Sequence, residues 1–129
     1  MVLGIGVDLM RVDRLDPACI RPGDPFLRRT FSPGEVAEGA RHADARAWYA
    51  ARFAAKEAVF KALRAAPDSL EFSEIEILDD GRGAPGVKLY GSAAALAQAM
   101  GATALHVSLS YEKEYVTAFA VLEGVTEQT

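Results

Sequence analysis

Apolar runs near both ends of the chain predict strands. Residues 2–7 are apolar or glycine and predict a short buried strand that ends at Asp8. Residues 105–109 and 115–122 are rich in β-branched and aromatic side chains, and the charged residues 112–114 separate them. This pattern predicts a hairpin between the two later strands.

Capping signals predict two short helices in the first third of the chain. Asp24 followed by Pro25 is typical of an N-cap and a first helical position, and predicts a helix over residues 26–31. Ser32 with Glu35 three residues later has the spacing of a capping box. We therefore expect a second short helix directly after the first.

Residues 44–66 consist of strong helix formers and predict one long helix that Pro67 stops. The apolar positions in residues 70–77 predict a strand with a phase slip near Ser73, and after a turn over residues 79–86 a short strand follows at residues 87–90.

Ser92 is expected to cap a last helix that ends at Gly101. Strands and helices do not alternate regularly along the chain. We therefore predict an α+β fold in which the long helix packs on an antiparallel sheet.

The composition is that of a globular protein. The 129 residues are 50% hydrophobic and 25% charged, which fits one domain over residues 1–129 and excludes a disordered chain. Cys19 is the only cysteine and cannot form an internal disulfide, which suits a reducing compartment. The N-terminal apolar run is too short for a membrane span and lacks the basic flank of a signal peptide. We expect a soluble, cytoplasmic protein.

The formal net charge of -4 is unevenly distributed. Residues 1–64 contain eleven basic and eight acidic side chains, whereas residues 65–129 contain three and ten. The basic half indicates either an anionic ligand or partner on one face, or an ordinary solvated surface. The sequence pI is about 5.2 and no basic stripe interleaved with aromatic residues is present, so nothing favours nucleic-acid binding.

The glycines before Asp8 do not form a dinucleotide-binding motif. Gly4 and Gly6 have the first spacing of that motif, but Leu9 stands where its third glycine is needed. From this segment alone, Asp8 is interpreted as an ordinary cap or turn residue.

The long helix has an unusual charge pattern. Glu57 and Lys61 share one face, and this spacing is typical of a helical ion pair worth about 0.2–0.5 kcal/mol. However, Glu57 is the only acid after Asp44 on this helix, among the basic side chains Arg52, Lys56, Lys61 and Arg64. The alternative interpretation is that Glu57 holds a divalent cation while the basic side chains contact phosphates.

Two motifs together resemble the 4′-phosphopantetheinyl transferases. Gly6-Val7-Asp8 matches the first, and the segment Phe53-Ala54-Ala55-Lys56-Glu57-Ala58-Val59-Phe60-Lys61 matches the second. The short length of the chain and the phenylalanine at position 53 resemble the holo-acyl-carrier-protein synthase branch of this family. Weaker matches follow in order along the chain: Thr30-Phe31-Ser32 with Glu35, Ala51-Arg52, Gly83 and Pro85 before Gly91, and His106-Val107-Ser108-Leu109-Ser110.

The resemblance implies transfer of phosphopantetheine from coenzyme A to a serine of an acyl carrier protein, with release of adenosine 3′,5′-bisphosphate. It implies that Asp8 and Glu57 hold Mg²⁺ and that Lys61 stabilises charge on the pyrophosphate. Arg52 and Lys56 become candidate phosphate contacts or solvated helix charges. Either Glu57 or a water bound to the metal is the candidate base for the serine proton.

The resemblance also implies partners and further contacts. It implies a homotrimer with active sites between subunits. The charge pattern and the short apolar run indicate no nucleic acid and no membrane as a partner. Further candidate contacts to coenzyme A are Gly83, Pro85, His106 and Ser108. Because carrier proteins are acidic, the candidate docking residues lie in the basic half: Arg14, Arg21, Phe26 and Arg29.

Three segments depart from the family pattern. Residues 64–67 replace a glycine-rich stretch, Ala84 replaces a basic residue between glycine and proline, and Tyr111 replaces a histidine. Two other interpretations therefore stay open. One is a transferase dedicated to a polyketide or peptide-synthetase carrier, and the other is a module that binds coenzyme A or a nucleotide and has lost catalysis.

Overall fold

Strands from both ends of the chain form a three-stranded antiparallel sheet in the computed structural model, which describes residues 1–125. β1 (Val2–Arg11) pairs with β5 (Tyr115–Gly124), and β5 pairs with β4 (Ala102–Glu112), in the order β1-β5-β4. Glu112 is directly opposite Tyr115, so the predicted hairpin is confirmed. Residues 126–129 of the expected domain lie outside the described residues.

β1 differs from the predicted buried strand. It continues to Arg11, so Asp8 lies inside the strand and not at its end. Only one face is covered: Met10 is buried, whereas Ile5 and Leu9 on the other face are 69% and 66% exposed. The prediction of a buried strand is wrong for the outer face, because the apolar run supplies exposed apolar side chains there in addition to the buried inner face.

The long helix α3 (Ala45–Ala62) packs on the inner face of this sheet. The two glycines of β1 permit a close approach, since a Cβ at Gly4 or Gly6 would overlap the carbonyl oxygen of Ala62 or Ala58. Gly4 and Gly6 therefore serve packing between a strand and a helix. They allow the inner face of β1 to lie directly against α3.

The C-terminal end of α3 corrects the predicted boundary at residue 66. The helix ends at Ala62, and Arg64 adopts a left-handed conformation with φ of 53°. The backbone N–H of Arg64 donates to Lys61 at 3.0 Å, and that of Ala65 donates to Phe60 at 3.2 Å. These two bonds form a Schellman motif, which ends the helix before Pro67 is reached.

Both short helices are confirmed with their caps. They are α1 (Pro25–Thr30) and α2 (Pro33–Gly39), preceded by 3₁₀ turns at Val12–Arg14 and Pro17–Ile20. The Asp24 carboxylate accepts the N–H of Phe26 at 2.9 Å. Ser32 and Glu35 exchange the two bonds of a capping box, at 2.9 and 3.2 Å.

A second, two-stranded sheet consists of β2 (Ile75–Asp79) and β3 (Pro85–Leu89). The strand predicted to start at residue 70 begins at Ile75, because a 3₁₀ turn occupies Phe72–Glu74. That turn explains the phase slip at Ser73. The apolar positions on the two sides of the slip belong to different elements.

The last helix, α4 (Gly91–Ala99), is capped differently from the prediction. Tyr90 is the N-cap residue, and the carboxylate of Glu74 accepts the backbone N–H groups of Ser92 and Ala93. The capping carboxylate thus comes from a residue distant in sequence. Gly101 ends the α4 region as predicted, with φ of 81°.

The core lies between α3, the inner face of the large sheet and β2. Its fully buried side chains include Ala54, Val59, Ile75, Ala118 and Leu122. The predicted α+β class, with a long helix on an antiparallel sheet, is confirmed. Within residues 1–125, no helix has the length and apolar character needed to cross a membrane.

Candidate active site

Asp8 and Glu57 line the same pocket, which has a volume of about 350 Å³. Asp8 comes from the inner face of β1 and Glu57 from α3, so the close packing of strand and helix brings them together. The backbone carbonyl of Asp8 accepts a hydrogen bond from the Thr117 hydroxyl at 2.9 Å. This bond fixes β1 to β5 at the position of the carboxylate.

Lys61 lies beside the carboxylates, one helical turn after Glu57. Its Nζ donates to the carbonyl oxygen of Val7 at 2.8 Å and lies 3.5 Å from Oδ1 of Asp8. The Lys61 side chain is 51% exposed, whereas that of Asp8 is 21% exposed. The ammonium group is therefore at the pocket edge, accessible to a ligand that enters beside Asp8.

The pKa values of both carboxylic acids are raised. Burial raises the pKa of Asp8 despite the opposing charges of Lys61 and Arg14. Burial also raises the pKa of Glu57, and the charge of Asp8 raises it further, while Lys61 opposes the shift. A cation bound at both carboxylates would oppose these shifts, because it favours their ionised forms.

Asp8 and Glu57 could hold a metal ion that takes only a few of its ligands from the protein. Within residues 1–125, no group of three or more His, Cys, Asp or Glu side chains is placed to hold a metal ion. A site closed by protein ligands, as for structural zinc, is therefore absent from this part of the chain. Mg²⁺ is commonly held by one or two carboxylates, with water and substrate oxygens in the other positions. Asp8 and Glu57 have that composition.

Much of the remaining pocket lining is apolar. Phe26 from α1 and Phe53 from α3 lie with ring centroids 6.1 Å apart, and Leu15 and Cys19 extend this wall. Arg14, from the first 3₁₀ turn, also lines the pocket. The pocket therefore joins two acidic groups to an apolar surface bordered by a cation.

Comparison with known protein families identifies the superfamily of this chain. The model of the 4′-phosphopantetheinyl transferase superfamily matches residues 4–120 of the chain. The chain belongs to this superfamily. The match covers β1, α3 and most of the large sheet, and thus all the elements that form the pocket.

Several relatives are similar to this transferase over nearly its whole length. It is 44% identical over 127 residues to a protein of Desulforudis audaxviator, covering 98% of this chain and 97% of that protein. It is 42% identical over 125 residues to a protein of Solidesulfovibrio magneticus, covering 96% of this chain and 100% of that protein. Both relatives are named holo-[acyl-carrier-protein] synthase.

Solved structures of the same family share the fold. The holo-[acyl-carrier-protein] synthase of Neisseria meningitidis has a TM-score of 0.84 at 30% identity, covering 95% of this chain and 99% of that chain. A Chronobacterium ammoniagenes ACPS–CoA complex has a TM-score of 0.81 at 33% identity, covering 95% and 98%. A similar fold of this family therefore accommodates CoA.

Lys56 does not face the pocket of this transferase, which corrects its assignment as a phosphate contact. Its side chain is fully buried, and Nζ lies 2.7 Å from Oε1 of Glu35. The same ammonium group donates to the carbonyl oxygens of Phe72, at 2.9 Å, and Ile75. All three donors are used inside the protein, so none is available for a phosphate.

Arg52 is also directed away from the pocket. Its side chain is 5% exposed and forms an ion pair with Asp79 at 3.0 Å. The guanidinium group lies 4.4 Å from the centre of the Trp48 ring. These contacts attach α3 to β2, and a phosphate contact from Arg52 would require their loss.

The remaining candidate contacts to coenzyme A lie outside the pocket of one chain. Gly83 is in the exposed turn before β3, and Pro85 begins β3. His106 and Ser108 are on the outer face of β4, opposite to the face that bears Asp8. His106 lies 2.6 Å from Oε1 of Glu123 on that outer face.

The candidate docking residues are divided between the pocket and the surface. Arg14 and Phe26 line the pocket, while Arg21 and Arg29 are exposed on nearby segments and do not line it. Cys19 also lines the pocket, although the sequence analysis assigned it no contact. The Asp16-Pro17 pair is an N-cap signal, and it predicts the 3₁₀ turn that carries Cys19.

Proposed function

We propose that this chain transfers 4′-phosphopantetheine from coenzyme A to a serine of an apo acyl carrier protein and releases adenosine 3′,5′-bisphosphate. The observation that carries the proposal is the Asp8–Glu57 pair, with Lys61 at its edge, in a pocket bordered by apolar and basic side chains. The names of the relatives and the CoA complex of a similar structure support the same reaction. We treat residues 1–129 as one domain with this activity.

Asp8 and Glu57 would hold Mg²⁺. Burial raises the pKa of both carboxylic acids, and the charge of Asp8 raises that of Glu57 further, so a bound cation would favour the ionised pair. When bound, the ion would neutralise the charge that develops on the pyrophosphate of coenzyme A during transfer.

Lys61 would act on the same phosphates. Its ammonium group is half exposed at the pocket edge, and contact with Asp8 at 3.5 Å leaves it free to donate toward a ligand. A cation placed where negative charge grows stabilises the transition state more than the ground state. Lys61 therefore raises turnover more than it raises affinity for coenzyme A.

We further propose a homotrimer with active sites between subunits. The outer face of the large sheet is apolar and uncovered: Ile5, Leu9 and Phe119 are 69%, 66% and 54% exposed. Apolar patches of this kind mark association surfaces. His106 and Ser108 lie on the same outer face, so association through it would place them at the contact between subunits. Light scattering measures the mass of the assembly.

The acyl carrier protein would dock on the basic segment that borders the pocket. The proposed contacts are Arg14 and Phe26 in the pocket wall, with Arg21 and Arg29 on the adjoining surface. An acidic partner meets complementary charge there, and the serine that it presents reaches the pocket that contains Asp8 and Glu57.

The deciding experiment is the intact mass of an apo carrier protein after incubation with this chain, coenzyme A and Mg²⁺. We expect the mass of one phosphopantetheine group to be added, and Asp8→Asn and Glu57→Gln to reduce the rate at least about a hundredfold. Asp13→Asn is the matched control, because Asp13 is an exposed acid that pairs with Arg11 outside the pocket.

The same experiment separates the two alternative interpretations. Binding of coenzyme A without transfer to any carrier would identify a module that has lost catalysis. Transfer only to polyketide or peptide-synthetase carriers, in a panel that includes a fatty-acid carrier, would identify a dedicated transferase. A normal rate for both carboxylate variants would refute the assigned site.

A further inference from the structure

Residues 12–20, which we call the β1–α1 segment, supply a large part of the pocket lining. Four side chains of this segment line the pocket: Arg14, Leu15, Asp16 and Cys19. The segment consists mainly of two 3₁₀ turns, and such turns are short and have poorer hydrogen-bond geometry than an α-helix. The position of the segment beside the pocket therefore depends on contacts with other elements.

Arg46, in the first turn of α3, binds the backbone of this segment. Its Nε donates to the carbonyl oxygen of Leu15 at 2.7 Å, and its Nη2 donates to the carbonyl oxygen of Asp13 at 2.9 Å. These two residues lie directly before and after Arg14 in the chain. One planar guanidinium group thus fixes the backbone on both sides of Arg14.

Backbone hydrogen bonds hold the start of the segment. The N–H of Val12 donates to the carbonyl oxygen of Glu114 at 2.8 Å, and the N–H of Leu15 donates to that of Val12 at 3.1 Å. The carbonyl groups of Asp13 and Leu15 take no part in these two bonds and are bound by Arg46 instead. Carbonyl groups at the end of a short helix need such a partner, and a charged donor provides a strong one.

Arg46 differs from a solvated surface cation. It is half-buried, and its bond to Leu15 is partly buried because Leu15 is only 4% exposed. Its hydrogen bonds go to the backbone of the segment, while the carboxylate of Asp13 is bound by Arg11 at 2.8 Å. Exposed ion pairs contribute little to a structure, whereas Arg46 connects two of its elements.

Arg14 is the charged side chain that this arrangement presents. It is exposed and lines the pocket. Its acidic neighbours are already engaged, because the carboxylates of Asp13 and Asp16 bind other groups. Without an ion pair of its own within residues 1–125, Arg14 depends on its backbone for its position. Arg46 fixes that backbone on both sides.

We infer that Arg46 is a positioning residue for carrier docking: it holds the backbone around Arg14 so that the Arg14 charge meets an acidic carrier protein beside the pocket. The inference rests on the proposed function. The effect of Arg46 passes through Arg14 and concerns affinity for the carrier. Binding of coenzyme A is not affected, because Asp8, Glu57 and Lys61 are positioned by β1 and α3.

The test is a double-mutant cycle on the apparent KM for an apo carrier protein, measured with the full chain, coenzyme A and Mg²⁺. Arg46→Met removes both donors, and we expect it to raise this KM about threefold, as Arg14→Gln should. The double variant should also show a rise of about threefold and not about ninefold, because Arg46 has nothing to position once Arg14 is removed. Turnover at saturating carrier and affinity for adenosine 3′,5′-bisphosphate should stay nearly unchanged.

Two further variants separate positioning from a direct charge contact. Arg46→Lys keeps the charge but cannot donate two parallel hydrogen bonds to the carbonyl groups, so it should not restore the wild-type KM. Arg41→Gln is the matched control, since it removes an exposed cation that pairs with Glu38 at 3.6 Å before α3, and it should leave the KM unchanged.

Several results would overturn the inference. A wild-type KM in Arg46→Met or in Arg14→Gln would do so, as would a wild-type KM in Arg46→Lys, which would indicate contact through charge alone. Additive effects in the double variant would show that Arg46 acts on the fold or on the carrier independently of Arg14. In all these cases the wild-type chain would still modify the carrier, whereas failure of the proposed function would abolish modification by the wild-type chain.

Discussion

Lys56 and Lys61 lie on the same helix, five residues apart, and the fold uses them in opposite ways. The Lys56 side chain is fully buried and bonded to Glu35, Phe72 and Ile75. The Lys61 side chain is 51% exposed and lies 3.5 Å from Asp8. Two cations of one motif thus divide into one that holds α3 in place and one that can contact a ligand.

The difference shows how burial decides what a lysine can do. Burial lowers the pKa of Lys56, and the nearby charge of Glu35 opposes that shift. A buried ammonium group is tolerated only when every donor is bonded, and such a group cannot also bind substrate. Lys61 keeps its contact with water and can exchange its partner for a phosphate.

The largest expected effect comes from breaking the buried pair. Lys56→Met removes the ammonium group and leaves the carboxylate of Glu35 buried without its charge partner. We expect the free energy of unfolding to fall by about 3–5 kcal/mol, measured by urea denaturation. The reason is the cost of an uncompensated buried charge, not the intrinsic strength of the pair.

A double variant supplies the control for this prediction. Glu35→Gln combined with Lys56→Met removes both charges and keeps an acceptor near the N–H groups of Ser32 and Ile77, which Glu35 binds at 2.9 and 2.8 Å. The double variant should therefore be more stable than Lys56→Met alone. Equal stability of the two variants would contradict the assigned cause.

Lys61→Met should lower turnover strongly and change stability little, in contrast to Lys56→Met. We expect turnover with an apo carrier protein to fall about a hundredfold, because the ammonium group opposes charge that grows in the transition state. The free energy of unfolding should change by less than about 1 kcal/mol, as is usual for a partly exposed ion pair. Calorimetry of coenzyme A binding tests the assignment: affinity lost in proportion to turnover would make Lys61 a ground-state anchor.

The sequence alone could not separate these two lysines. Glu35 is 21 residues from Lys56, and its capping-box spacing with Ser32 explains its presence without any further partner. The pairing becomes visible only when α2 and α3 are placed against β2. Alanine-rich helices hide their buried faces in this way, because small side chains produce a weak apolar stripe on every side.

Some helix boundaries could be predicted from the sequence, and others could not. The caps at Asp24, Ser32 and Asp44 were predictable, because each depends on residues within three positions of one another. The end of α3 and the cap of α4 were not. The first requires a left-handed arginine, and the second uses the carboxylate of Glu74, 18 residues before Ser92.

The carboxylate pair was predictable for a different reason. Asp8 and Glu57 belong to two short motifs with characteristic spacing, so their proximity followed from the family resemblance. The spacing did not reveal why they meet, which depends on Gly4 and Gly6 allowing α3 to approach β1. Physical interpretation of the segment around Asp8 alone favoured a cap residue, and the continued strand shows that this interpretation was wrong.

A change of pH should alter the free energy of unfolding through Asp8 and Glu57. We expect this effect to be smaller than that of the Lys61 substitution. Burial raises the pKa of Asp8 and of Glu57, so the folded protein binds these protons more tightly than the unfolded chain does. The stability that they contribute is present below the ordinary carboxyl values and is lost as pH rises through the raised values. Urea denaturation in a chelating buffer should show this loss, and Glu57→Gln should reduce it.

Two controls make this pH prediction specific. Arg11 lowers the pKa of Asp13, so Asp13→Asn should not reduce the loss of stability at rising pH. Addition of Mg²⁺ above this pH interval should raise the melting temperature of the wild type more than that of Glu57→Gln. An equal effect of Mg²⁺ on both proteins would contradict the role of Glu57 as a ligand.

The smallest expected effect concerns Arg14, a cation that lines the pocket near Asp8 without the buried partner that Lys56 has. Its acidic neighbours are already engaged, since Asp13 pairs with Arg11 at 2.8 Å and Asp16 caps the N–H of Ala18 at 2.9 Å. Within residues 1–125, Arg14 therefore has no ion pair of its own and is available to an acidic partner.

Arg14→Glu should raise the apparent KM for the carrier protein about fivefold, because an exposed charge contact is worth up to about 1 kcal/mol. Affinity for adenosine 3′,5′-bisphosphate should stay nearly unchanged, which separates carrier docking from the binding of the coenzyme. The wild-type reaction should slow as salt rises, since charges are screened over about 8 Å at physiological ionic strength, and the variant should lose part of that dependence. A variant with the wild-type carrier KM and salt dependence would remove Arg14 from the docking surface.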